Sequence, residues 1–102
     1  MIKATPAQLR IITDILASHA PGVEVLAFGS RVDGNPKDYS DIDLALVGAA
    51  RLSPAVTGAL KEAFEESDLP FRVDVLDWNA ISPEFQKIIE IRYEIVQKPG
   101  KI

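Results

Sequence analysis

Leu26-Ala27-Phe28-Gly29-Ser30-Arg31-Val32-Asp33-Gly34-Asn35-Pro36-Lys37-Asp38-Tyr39-Ser40-Asp41-Ile42-Asp43-Leu44 is the stretch around which the chain is organised. An apolar run over residues 23–28 stops at a Gly-Ser pair, a polar loop follows, and Asp41-Ile42-Asp43 opens a second apolar run that ends at Val47. Side chains two apart on a strand share a face. Asp41 and Asp43 therefore point one way and Ile42, Leu44 and Leu46 the other. Carboxylates held side by side repel each other unless a cation lies between them. A divalent metal with oxygen ligands meets that need.

Upstream, the apolar run 23–28 reads as a strand interior to a sheet. Gly29 at its end allows close backbone approach or a positive φ. Ser30 offers a hydroxyl and is expected to cap a short helical turn over residues 31–33. Backbone N–H groups at such a strand-to-helix turn form an anion site. A lone Gly-Ser pair is usually no more than a turn; its place ahead of an Asp-x-Asp strand shifts the weight toward a phosphate site, which is the expectation here. Residues 33–40 form a loop. It is not a calcium loop, because Lys37 stands at an expected ligand position and the glycine is misplaced.

Downstream, residues 71–77 predict a third strand. Phe71, Val73 and Val75 make its apolar face, and Arg72, Asp74 and Leu76 the other. A mid-strand Asp is unfavourable among β-branched residues and needs a partner if buried. Beside the strand over residues 40–47, Asp74 would become a third carboxylate; the alternative is an ion pair with an arginine. Asp77 reads as a turn residue and Trp78 as packing.

Three helices complete the pattern. Thr5-Pro6 with Gln8, Ser53-Pro54 and Ser82-Pro83 are cap-then-proline starts. Leu9, Ile12, Ile15 and Leu16 line the first helix; Val56, Leu60, Ala63 and Phe64 line the second. Phe85, Ile88, Ile89 and Ile91 mark the last. Gly58 is a soft spot inside the second. His19 reads as a surface residue with no role. Residues 93–96 suggest a short edge strand, and 97–102 a frayed tail. The expected fold is α/β (α+β), a small mixed β-sheet with helices packed on it. The expected organisation is one domain over residues 1–102, with its core at about 5–96.

Composition bounds the chemistry. The 102 residues contain no cysteine, so disulfides, zinc–thiolate sites and thiol nucleophiles are excluded. A formal charge of −4 argues against general nucleic-acid binding. It leaves room for a nucleotide whose phosphates are neutralised by metal. No run is long enough to span a membrane and the N-terminus lacks a signal-peptide pattern, so a cytoplasmic location is expected. Three carboxylates on adjacent strands beside a Gly-Ser turn suit two-metal phosphoryl or nucleotidyl transfer. Asp41, Asp43 and Asp74 would be the catalytic metal ligands. Gly29, Ser30 and nearby amides would grip the phosphates, with Arg31 or Lys37 adding positive charge.

Gly29-Ser30, ten intervening residues and Asp41-Ile42-Asp43 resemble the signature of the minimal nucleotidyltransferases, a branch of the DNA polymerase β-like superfamily. Ser30-Arg31 followed by Gly34, Ser40 ahead of the Asp pair, and Val73-Asp74-Val75 are similar too. The resemblance runs from about residue 23 to 93. It implies Mg²⁺, with two ions, and ATP as substrate. It also implies a likeness to antitoxins encoded beside a HEPN-domain toxin, which transfer AMP to a tyrosine of that partner. Two other readings follow the same residues: transfer to a small-molecule acceptor, or a non-catalytic module that neutralises its partner by occlusion. Relatives acting on small molecules add a helical domain, which this chain is expected to lack.

Overall fold

Each long helix starts where a hydroxyl residue meets a proline. In the computed structural model, which describes residues 2–37 and 39–100, the chain order is α1 (Pro6–His19), β1 (Glu24–Phe28), α2 (Ser30–Asp33), β2 (Ile42–Val47), α3 (Pro54–Glu66), β3 (Val73–Asp77), a 3₁₀ turn (Trp78–Ala80), α4 (Pro83–Ile91) and β4 (Glu94–Gln97). Thr5 Oγ1 accepts from the Gln8 amide at 3.1 Å, and Gln8 Oε1 accepts from the Thr5 amide at 3.0 Å, a reciprocal capping box. Ser53 and Ser82 accept from the amides of Val56 and Phe85, each satisfying one orphan donor of a first turn.

The four strands form one mixed sheet in the order β3-β2-β1-β4. β1 pairs antiparallel with β2 and with β4, while β2 and β3 run parallel and are joined through α3. The expected mixed sheet with packed helices is therefore the one observed, with β1 interior and β4 at an edge. All four strands start later than their sequence patterns suggest, β1 and β4 by one residue and β2 and β3 by two, at Ile42 and Val73. The patterns include residues that lead into the ladder without being part of it.

Strand parity sorts the sheet into two faces. Val25, Ala27, Ile42, Leu44, Leu46, Val73 and Val75 join Ile12 and Leu16 of α1 and Leu60 and Phe64 of α3 in the main core. On the opposite face Leu26 and Ala45 pack with Ile89 of α4, flanked by Phe28, Val47, Trp78 and Ile81. Asp43 and Asp74 share parity with Ala45 and Leu76, which puts both on the α4 side. Trp78 packs, as its position suggests.

The expected loose tail is partly anchored. Gln97 closes β4, and its side-chain amide donates to the carbonyls of Ala20 (2.8 Å) and Val23 (2.7 Å). The Gly100 amide donates to the Gly22 carbonyl at 2.9 Å. Lys101 and Ile102 lie outside the described residues, as does Asp38 of the loop.

Gly58 is exposed in α3, and a Cβ there would meet nothing within 4 Å. Glycine inside a helix costs backbone entropy with no packing in return. Gly58→Ala should stabilise the protein by about 0.5–1 kcal/mol, read as a higher urea midpoint with an unchanged slope. A lower midpoint would mean that the bare backbone at Gly58 has a use.

Candidate active site

The end of β1 builds the first wall. Gly29 has φ +84° and ψ −158°, a region open in practice to glycine alone. A Cβ at this position would lie 2.4 Å from Asp43 Oδ2. The glycine thus brings bare backbone against a carboxylate. α2 follows, but its cap is Gly29 rather than Ser30, which is its exposed first residue. The amides of Val32 and Asp33 close onto the Gly29 carbonyl at 3.0 and 3.1 Å. Two of the turn's N–H groups are therefore used internally. Ser30 and its immediate backbone are what remains to meet a phosphate.

β2 brings in the carboxylates. Asp43 stands opposite Phe28 of β1 on one side and Asp74 of β3 on the other. Like charges directly across a ladder repel. The Asp43 carboxyl is pushed up to about 6, first by burial, then by the charges of Asp74 and Asp41. Asp41 is exposed and precedes the strand. Its neighbour Ile42 donates its amide to the Arg72 carbonyl at 2.9 Å, stitching the entry of β2 to that of β3. Asp74 carries the arginine partner that sequence reasoning allowed for: Arg72 Nε lies 3.5 Å from Asp74 Oδ1. That pair is solvent-exposed, with 75% and 42% of the side chains accessible, so it holds weakly and is readily exchanged.

Asp43, Asp74, Phe28, Phe71, Arg72 and Phe85 line a cleft of about 810 Å³ that wraps the edge strand. Phe28 and Phe85 meet edge to face, with ring centroids 6.0 Å apart. Phe85 reads from sequence as helix packing, and nothing in a linear pattern ties it to Phe28. Arg72 as a cleft residue was visible in principle, because it shares parity with Asp74. Asp77 is the turn residue expected: its oxygens accept from the amides of Leu52 (2.8 Å) and Asn79 (3.0 Å).

Arg31 departs from expectation. It is only 4% exposed. Its Nε donates to the Ser40 carbonyl (2.7 Å), Nη1 to Lys3 (2.7 Å) and Nη2 to Lys37 (3.2 Å). Its guanidinium lies 3.9 Å over the Phe71 ring. Three of its five N–H donors are thus engaged with carbonyls, whereas Lys37, the other candidate, is exposed.

By donor chemistry the carboxylates fit a hard divalent cation: all are oxygen ligands, and Asp43 has a raised affinity for a proton, owed first to burial and then to the charges of Asp74 and Asp41. As they stand, no three acidic or imidazole side chains among the described residues gather closely enough to hold an ion. Holding one would require the carboxylates to draw closer together.

The polymerase β nucleotidyltransferase family model matches residues 11–98. The probable protein adenylyltransferase MntA of Haemophilus influenzae is 47% identical over 94 residues, covering 92% of this chain and 82% of that protein. A solved toxin–antitoxin structure with AMP-PNP superposes with a TM-score of 0.73 at 23% identity, covering 88% of this chain and 73% of its own. A second, of a tri-AMPylated Shewanella oneidensis HEPN toxin with its MNT antitoxin, gives 0.68 at 21% identity, with coverages of 90% and 71%. At those identities the two structures speak for the fold. Among the described residues no helix is long and apolar enough to cross a membrane.

Proposed function

The chain belongs to the polymerase β nucleotidyltransferase family, and on that footing we propose that it transfers AMP from ATP to a tyrosine hydroxyl of a HEPN-type toxin and so acts as an antitoxin. The carrying observation is the convergence at Asp43, where a glycine backbone and a second carboxylate on the next strand meet one side chain. The likeness to a protein adenylyltransferase supports the choice of AMP and of a protein acceptor.

Two Mg²⁺ ions held by Asp41, Asp43 and Asp74 would lower the pKa of the acceptor hydroxyl and offset charge on the departing pyrophosphate. Asp41, Asp43 and Asp74 would supply the oxygen ligands, with Asp74 on the acceptor side. Ser30 and the backbone beside it hold the β- and γ-phosphates. In the transfer, the tyrosine oxygen bonds to the α-phosphorus and the bond from that phosphorus to its bridging oxygen breaks. Pyrophosphate leaves, and the phenolic proton passes to the Asp74 carboxylate. The Phe28–Phe85 pair walls the cleft on the α4 side. Ile88 (65% exposed), Ile91 (83%) and Ile95 (48%) lie on the same side of the sheet, since Ile95 stands opposite Leu26. Exposed apolar surface beside a cleft suits a protein acceptor better than a small solute.

The test is label transfer from ATP tagged at the α-phosphate to the co-purified partner. Asp74→Asn should bind Mg²⁺–ATP within about threefold of the parent while transfer falls at least about 100-fold, the mark of an interaction made in the transition state. Full transfer by Asp74→Asn would contradict the three-carboxylate mechanism. A parent that leaves its true partner unlabelled would favour neutralisation by occlusion.

A further inference from the structure

The loop over residues 34–41 joins the Gly29-Ser30 turn to the carboxylate strand and has neither helix nor strand among its described residues. Something must nevertheless fix the turn relative to Asp41 and Asp43, because a misplacement of an ångström at reacting groups is costly. We infer that Arg31 does this: it is a positioning residue, one side chain that sets the turn, the entry of β2 and the entry of β3 relative to each other. The inference rests on the transfer reading above.

Four contacts carry it. Arg31 follows Ser30 directly, so its backbone belongs to the turn. Nε reaches the carbonyl of Ser40, the residue before Asp41, at 2.7 Å. Nη2 reaches the Lys37 carbonyl at 3.2 Å, inside the loop. The guanidinium plane covers Phe71 at 3.9 Å, three residues ahead of Asp74 and next to Arg72, whose carbonyl accepts the Ile42 amide. The three acidic residues are thus approached from one buried cation. A fourth anchor lies behind it: Nη1 donates to the Lys3 carbonyl and the Lys3 amide donates back to the Arg31 carbonyl, both at 2.7 Å. Lys3 Nζ also donates to the Gly34 carbonyl.

The residue type is determined by this geometry. Guanidinium offers five N–H donors in a plane, with two faces left for stacking. Lysine concentrates three donors at one point and cannot serve carbonyls in three directions while covering a ring. Burying a charge is costly unless it is fully hydrogen-bonded, so the carbonyls hold the arginine as firmly as it holds them. Among the described residues Arg31 is the one buried charged or polar side chain.

The experiment compares the parent with Arg31→Lys and, as a milder change that keeps the cation, Phe71→Leu. All are assayed at a temperature well below the lowest melting point, so that every sample is folded. Three quantities are read: amide exchange at Ser40, Asp41 and Ile42, the Kd for Mg²⁺–ATP, and kcat and KM for labelling the partner. For Arg31→Lys, exchange at those amides should quicken at least about tenfold over the change in β1, and kcat should fall at least about 30-fold, with ATP affinity within about threefold. Phe71→Leu should move in the same direction by a smaller factor. A folded Arg31→Lys with parental kcat would reduce Arg31 to a stabilising residue and overturn the inference. A raised Kd for ATP at unchanged kcat would make it a phosphate ligand instead and overturn it equally. If the parent labels nothing, the transfer reading falls by itself; the local exchange contrast and the nucleotide titration still decide the anchoring. Uniform exchange changes in both variants would then refute it.

Discussion

Asp43→Asn should make the ligand-free protein more stable while lowering nucleotidyl transfer at least about 1,000-fold, since it removes a proposed metal ligand that both nucleotide binding and transfer would need. The two effects have one origin. In the folded protein the Asp43 carboxyl is raised from 3.8 to about 6 by burial and then by Asp74 and Asp41. A carboxyl whose folded pKa lies above its unfolded value holds more protons folded than unfolded between those two values. Stability from this group is therefore lost as pH rises from about 4 to about 6, and the loss persists above. Asparagine escapes the loss. Allowing for solvent around a half-buried side chain, its gain should be about 1–2 kcal/mol at pH 7.5 and close to nothing at pH 4. Urea melts at the two pH values read the difference. A mutant less stable than the parent at both would show that Asp43 has a structural partner. Added Mg²⁺–ATP should reverse the order, raising the parent's melting temperature and leaving the mutant's nearly unchanged, because only a ligand of the folded state stabilises it. In the parent that response should weaken below about pH 6, where protons compete for the same oxygens.

Gly29→Ala carries the second large effect. Alanine at φ +84° and ψ −158° is strained, and its Cβ would sit 2.4 Å from Asp43 Oδ2. Destabilisation of about 2–4 kcal/mol is expected, together with loss of transfer, because the carboxylate must move aside. The two causes separate in the Asp43→Ala background. There the collision is gone and only the backbone strain remains, so Gly29→Ala should cost about 1 kcal/mol less than in the parent. Equal costs in both backgrounds would mean that the close approach of glycine and carboxylate has no energetic weight.

Much of this site could be read from the chain because its parts obey local rules. The three cap-then-proline starts lie where Thr5, Ser53 and Ser82 place them. Two-residue parity puts Asp41 and Asp43 on one face of their strand and Asp74 on the face of its own strand opposite Val73 and Val75, and the parallel register then sets Asp43 and Asp74 side by side. What could not be read depends on contacts across the chain. Arg31 is a plausible phosphate ligand in sequence, and only the arrival of Lys3, Lys37, Ser40 and Phe71 around it shows that it is buried with three of its donors engaged by carbonyls. The helix cap at Gly29 rather than Ser30 is a difference of one residue that propensity does not resolve. Gln97 looked like tail because its partners, Ala20 and Val23, lie more than seventy positions earlier.

The parallel pairing of β2 with β3 has a consequence for how the molecule tolerates insertions and deletions. Sliding β3 by two residues along β2 would leave every apolar side chain on its own face, yet would part Asp43 from Asp74 by about 6.6 Å, twice the rise per residue of a parallel strand. The core is thus indifferent to an error that the chemistry cannot survive. What forbids the slide is local to the strand entries, the Ile42–Arg72 backbone bond and the arginine seated on Phe71. Chain length is therefore free to vary at the exposed Asp68, on the far side of those anchors. The ten residues between Ser30 and Asp41 have no such latitude: they are a measured spacer, and a single added or missing residue there would detune the site while leaving the hydrophobic core intact.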